Sequence, residues 1–193
     1  MSHIDEAVSE EDISEGRLVT YIIKPFSYFW YNFIREIPWR LLQGFFGIFS
    51  CVLFFMAFGN FISISWTLNT AVFTLIVLAL AYLLSFTFKI FIGLLAFWLT
   101  DISGFYQVIE IVMLVMAGYI LPLDAMNSSL RLIANLSPFP FMIYYPVLTL
   151  QGKLGIYDLL SVIYRQIFWI MIFAVAYKIT WNKGLKKFTG LGQ

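Results

Sequence analysis

Apolar residues gather into runs long enough to cross a bilayer, and the polar residues between them mark where each run must end. The runs cover about 37–58, 71–98, 105–121 and 157–177; a crossing helix needs ~20 such residues. The first holds Gln43 as its only strongly polar interior residue. The second exceeds a simple crossing and must tilt, kink or project from the bilayer. The third is predicted to stop at Pro122, since proline supplies no N–H and clashes with the preceding turn.

Between the third and fourth runs the pattern changes. In LDAMNSSLRLIANL, Leu123, Met126, Leu130 and Ile133 fall at helical spacing, with Asp124, Asn127, Ser128 and Arg131 on the other side. Such a short two-faced helix lies along a membrane surface. SPFPFMIYYPVLTL follows, apolar but interrupted by Pro138, Pro140 and Pro146. Non-helical backbone at membrane depth survives only where protein or a water-lined cavity satisfies it. Residues 122–150 are therefore predicted to form a re-entrant helical hairpin before the last span.

Ahead of the first span, residues 1–16 carry Asp5, Glu6, Glu10, Glu11, Asp12 and Glu15 and read as an acidic tail. The first nine are expected to be solvated, whereas Ser9 to Asp12 has the spacing of a capping box that starts a helix. Residues 17–37 mix Arg17, Lys24 and Arg35 with Tyr21, Phe26, Tyr28, Phe29, Trp30 and Tyr31. Basic and aromatic residues together favour the headgroup layer. Pro25 and Pro38 divide this interfacial, partly helical region into short pieces.

Composition settles the class. Of 193 residues, 61% are hydrophobic and 12% charged, against about a quarter charged in a soluble domain. The fold class is an all-α integral membrane protein, with four transmembrane helices in a domain spanning 38–182 and a basic tail at 183–193. A net charge of +1 offers no basic stripe for nucleic acid. Cys51 alone excludes an internal disulfide framework, and His3 sits in the acidic tail. Eight Lys and Arg flank the two termini, whereas the connections 59–70 and 122–156 carry only Arg131 and Lys153. By that bias both termini are cytosolic and the hairpin faces outward; the membrane is expected to be the cell membrane.

Lys89, Glu110 and Arg165 fall inside predicted spans, where ionisable groups cost several kcal/mol unless paired or hydrated. Counting from the Thr100–Gly104 turn at ~1.5 Å per residue puts Lys89 and Glu110 within a few ångström of one depth. Either they pair or share water, or Lys89 snorkels to the inner surface and Glu110 is neutral. Arg165 either snorkels outward or lines a polar path. No metal, nucleophile or phosphate-loop motif appears, so neither a cofactor nor catalysis by the chain alone is expected.

EGRLVTYIIKPFSYF, LAFWLTDISGFYQ, AGYILPLDAM, SPFPFMIYYPVLTLQGK and WNKGLKKFTGLG, in that order, resemble the ABC-2 family of transporter permeases. The nearest branch is the one associated with daunorubicin-type export. The resemblance implies six spans, of which this chain would hold the third to sixth, its first two being missing or supplied by a partner. It assigns Glu15, Gly16, Arg17, Lys24 and Pro25 to an ATPase contact, and Pro122, Asp124, Arg131, Pro138, Pro140 and Pro146 to an external gate. The implied partners are ABC ATPase subunits, a second permease forming a homodimer, and membrane lipid.

Two functions compete on these grounds. One is the membrane subunit of an ATP-driven exporter with an amphipathic or lipid-like cargo. The other is a non-transporting scaffold or truncated regulatory subunit, which would need no ATPase contact. An intramembrane enzyme or channel would require a catalytic cluster or a row of polar residues in the spans, and neither is present.

Overall fold

A computed structural model describes residues 4–58, 68–99 and 103–188, and every regular element in them is helical. Helix α1 (Ile4–Glu6) runs on into a π-helical stretch, Ala7–Ser14. Then come α2 (Leu18–Ile22), α3 (Tyr28–Phe58), α4 (Leu68–Leu94), α5 (Ser103–Met116), α6 (Ser128–Leu136), α7 (Tyr144–Leu150) and α8 (Ile156–Lys187). Single 3-10 turns occupy Leu95–Phe97, Leu123–Ala125 and Phe139–Phe141. Three stretches, Tyr28–Phe54, Thr70–Phe97 and Ile156–Lys187, are long and apolar enough to cross a membrane. His3, the Cys51 side chain, most of the 59–70 connection, residues 100–102 of the expected turn and the end of the basic tail lie outside the described residues.

The chain forms two compact units. The smaller, Leu18–Ser65, holds α2 and α3. Helix α3 is one 31-residue helix with Pro38 inside it, where the sequence suggested a boundary between an interfacial segment and a span. Proline removes one N–H and leaves the Ile34 carbonyl without its helical donor, a loss that membrane helices tolerate. Arg40 braces the same turn, reaching Glu36 at 3.5 Å one turn back and donating to the Gln43 Oε1 at 3.1 Å.

The larger unit is Met1–Arg17 with Trp66–Gln193, built around α4 and α8. These helices run parallel. The Gln166 Nε2 donates to the Val77 carbonyl at 3.1 Å, the Phe173 ring meets Phe88 at 5.1 Å, and Phe97 lies against Gly184. Their shared core contains Leu84, Phe88, Ile92, Leu159, Val162 and Phe173, closed by Tyr106 and Met113 of α5 and by Phe141 and Met142. Helix α5 runs the other way. Tyr106 near its start reaches the N-terminal segment at the end of α4, and Gly118 beyond its end packs on Leu123 and Tyr144. With α4 and α8 parallel and α5 running back the other way, the chain from Tyr119 to Gly155 stays at the Val77 end of the unit.

Helix α5 has 14 residues, ~21 Å at ~1.5 Å each, so it is shorter than the 105–121 span expected and is not among the three long enough to cross a membrane. It ends before Pro122 is reached. Gly118 adopts φ +74°, its N–H donates to the Val115 carbonyl at 3.1 Å, and the Tyr119 N–H reaches the Leu114 carbonyl at 3.1 Å. That pair of bonds is a Schellman stop, in which glycine accepts the left-handed conformation other residues resist. Leu123 and Tyr144 occupy the space a Cβ on Gly118 would need.

Candidate functional site

The first cluster lies at the C-terminal end of α4. Ile4, Val8 and Ile13 are buried, as are Ser9 and Asp12, so from Ile4 onward the N-terminal segment is docked on α4 through these side chains, where a solvated tail was expected. The π-helical winding follows from this spacing. Ile4 and Ile13 are nine residues apart, about two and a half turns of an α-helix, which would point them opposite ways. The wider i→i+5 turn lets residues spaced by four and five share a face. The Glu15 N–H closes the stretch by donating to the Glu10 carbonyl at 3.0 Å. Gly93 makes room for the segment, since a Cβ there would stand 2.8 Å from the Val8 Cβ.

This docking gives Lys89 a partner other than the Glu110 expected from depth along the spans. Its Nζ lies 3.6 Å from the Asp5 carboxylate, and the Tyr106 hydroxyl donates to the Asp5 carbonyl at 3.2 Å. Glu110 lies exposed on α5, and no ion pair joins it to Lys89 among the described residues. Equal depth is a condition for pairing, but depth does not say which helix face looks inward. Burial pushes the Asp5 carboxyl above its ordinary value, against the pull of Lys89. An acid flanked by apolar residues at four-to-five spacing was the available signal.

The residues assigned to ATPase contact divide between the two units. Arg17 holds Glu15 at 2.8 Å and Glu11 at 3.3 Å in an exposed knot, and Gly16 turns the chain between them at φ +77°. In the other unit Lys24 sits 5.0 Å from the Tyr21 ring centre and 5.3 Å from that of Tyr31, within cation–π range. Pro25 opens a groove of about 650 Å³ walled by Phe26, Trp30, Tyr31, Ile34 and Arg35.

The third cluster gathers the residues assigned to the gate. Pro122 leads into the Leu123–Ala125 turn. Arg131 of α6 ties that turn down, its Nε donating to the Leu123 carbonyl at 2.9 Å and its Nη2 to those of Asp124 at 2.7 Å and Met126 at 3.3 Å. The Tyr144 hydroxyl donates to the Asp124 carboxylate at 2.6 Å, and Tyr145 donates to the Asn135 Oδ1 at 2.6 Å. Burial first, and then the Asp124 carboxylate, push Tyr144 up to about 12.

The proline-rich return is more regular than its sequence suggested. Pro138 precedes the Phe139–Phe141 turn, Pro140 lies within it, and Pro146 is the third residue of α7. Each stands where a helical turn begins and an N–H has no partner to lose. Gln166, fully buried, fastens this return by donating to the Phe141 carbonyl at 3.0 Å as well as to Val77. Tyr144, Tyr145, Asn135 and Gln166 had no sequence signal beyond being polar among apolar neighbours. Arg165, next to Gln166, stacks over the Phe141 ring at 5.5 Å.

Among the described residues no group of three His, Cys, Asp or Glu side chains could hold a metal ion. Compared with known proteins, residues 3–192 match the model of a family described as ABC-2 family transporter protein. No curated protein and no solved structure gives a match.

Proposed function

The chain belongs to the ABC-2 family of transporter proteins, membrane permeases that are not themselves catalytic, and from that premise we propose that it is the membrane subunit of an ATP-driven exporter. Family membership over nearly the whole length is the observation that carries this reading. In it, two copies pair to form a path across the cell membrane, and separate ATPase subunits bind ATP on the cytosolic side, where both termini lie. The nearest branch remains the daunorubicin-associated one suggested by the motifs.

The Arg17 knot and the Lys24 to Arg35 groove are the surfaces offered to the ATPase. The groove supports this role because Phe26, Trp30 and Ile34 are exposed apolar side chains beside cations, a composition suited to a protein partner. Closure of the ATPase can drive the permease only if outward- and inward-open forms contact it differently. The segment from Pro122 to Pro146 serves as the external gate. Its support is the parallel run of α4 and α8, which leaves the connection after α5 at one end of the unit, sheltered by Phe88 and Phe173.

Co-purification tests the reading. An ATPase is expected to copurify with the intact chain, and R17E/K24E is expected to lose it while keeping membrane insertion. A chain that inserts, binds no ATPase and still supports assembly of another complex would be the scaffold or regulatory subunit instead. Accessibility labelling adds a second check. A cysteine placed at Asn127 should react from outside the cell, and reaction from the cytoplasmic side would reverse the orientation and remove the gate.

A further inference from the structure

Arg165 stands near one end of the uncharged stretch of α8. After it, α8 has no charged residue until Lys178, a distance of ~20 Å at ~1.5 Å per residue. The hydrocarbon core is ~30 Å thick. With Lys178 reaching one surface along its stem, Arg165 lies at the opposite boundary between acyl chains and headgroups. An arginine at that depth ordinarily pairs with a carboxylate or faces a watery cavity. Here it is exposed, and no ion pair reaches it among the described residues. The nearest acid on its own helix, Asp158, accepts instead from the Gly155 N–H at 3.2 Å.

The guanidinium stands over Phe141 at the rim of an open cavity of about 410 Å³, walled by Leu132, Leu136, Phe168 and Trp169. Asn135 and Tyr164, which carries a hydroxyl, complete the polar lining. The Asn135 Oδ1 already accepts from the Tyr145 hydroxyl, while its NH2 group still has donors to offer. The polar side thus offers donors and a positive charge, and the remaining wall is hydrocarbon and aromatic ring. That combination is complementary to a phosphate joined to an acyl chain.

We propose that this cavity binds an anionic phospholipid, with its phosphate held by Arg165 and the Asn135 amide and one acyl chain laid along Leu132, Leu136, Phe168 and Trp169. The volume suits the headgroup and the first part of a chain; the remainder stays in the bilayer. The inference requires that α8 crosses the membrane and does not depend on ATP-driven export. Loss of either reading would leave the other standing.

Trp169 reports directly on occupancy. The full chain, reconstituted in phosphatidylcholine vesicles, is given a small equal fraction of either phosphatidylglycerol or phosphatidylcholine brominated high on one chain. The Trp169 signal is isolated by subtracting W169F. Brominated phosphatidylglycerol is expected to quench it with about a fivefold preference, the ratio equivalent to ~1 kcal/mol per cation near an anionic lipid. R165Q should abolish the preference, and R165K, which keeps the charge in the same fold, should retain most of it. Equal quenching by the two lipids, or a preference unchanged in R165Q, would overturn the proposal. So would loss of the preference on adding inorganic phosphate, which would make this a site for a free anion.

Discussion

Lys89 and Asp5 form an ion pair, 3.6 Å long, that fastens the N-terminal segment to the end of α4 with both side chains largely out of solvent. Burial nevertheless holds the Asp5 carboxyl above its ordinary range. The docked segment therefore binds this proton more tightly than the free one. By linkage, docking is strongest below the ordinary Asp value and weakens as pH rises through the raised one. Amide exchange across Val8 to Ser14, corrected for intrinsic rates, should slow on acidification into the carboxylate range. At neutral pH the D5N, K89M and double variants should reveal a coupling of about 1 kcal/mol, read from the same amides. Additive effects would show that the two groups are neighbours without interacting.

Gly93 is small because Val8 needs its space. A Cβ there would fall 2.8 Å from the Val8 Cβ and 3.1 Å from the Asp5 carbonyl oxygen, atoms that cannot yield without moving the segment. G93A should loosen the N-terminal segment by about 1–3 kcal/mol, the usual cost of overpacking. Limited proteolysis within residues 4–14 would then become faster, while α4 and α8 stay protected. Combining G93A with V8G should cost less than the sum of the two, because the collision is gone.

Gly184 plays the matching part between α8 and the 3-10 turn at Leu95–Phe97. An alanine there would overlap the Phe97 ring, which is itself buried and edge-on to Trp98 and Phe188. G184A should lower stability in detergent by about 1–3 kcal/mol, with F97L in the same chain recovering part of the loss. Thermal unfolding followed by circular dichroism provides the measurement. An unchanged midpoint would mean that the two helices do not approach as described.

Arg131 donates to three carbonyls of the turn it secures, and a methionine there would fill similar space without donors. R131M should cost roughly 2 kcal/mol, a discounted sum for partly exposed bonds to a charged donor. Y144F, losing one bond to Asp124, should cost about 1 kcal/mol. For Tyr144 the folded value of about 12 exceeds the ordinary 10.0. Its contribution is therefore complete below the ordinary value and disappears as pH rises through about 12. The tyrosinate absorbance that Y144F removes should accordingly appear late in an alkaline titration. Its appearance near the ordinary value would mean that Tyr144 is neither buried nor bonded to Asp124 in solution.

Much of the architecture was legible because lipid makes local demands. The apolar runs around 71–98 and 157–177 became α4 and α8, since a backbone in hydrocarbon must satisfy its own hydrogen bonds as a helix. Of the two-faced stretch after Pro122, Ser128–Leu136 became α6, with Asn127 accepting the Leu130 N–H at 2.8 Å as its N-cap, whereas Leu123 and Met126 lie in and after the turn before it. Those features depend on residues within a turn or two of one another. The misread boundaries also have local causes: Pro38 is carried inside α3, and Gly118 ends α5 before Pro122 can.

What the sequence by itself determined is the class of the protein, all-helical and membrane-embedded, and the order of its apolar stretches; it expected four crossing helices where three among the described residues are long and apolar enough. Only the tertiary structure decided that Lys89 meets Asp5 and not Glu110, that an acidic segment docks through Ile4, Val8 and Ile13, and that Gln166 binds the proline-rich return to α4. The physical reason is range. Helix formation in an apolar medium is fixed by neighbours along the chain, whereas the partner of a buried polar group depends on which faces of distant helices come together.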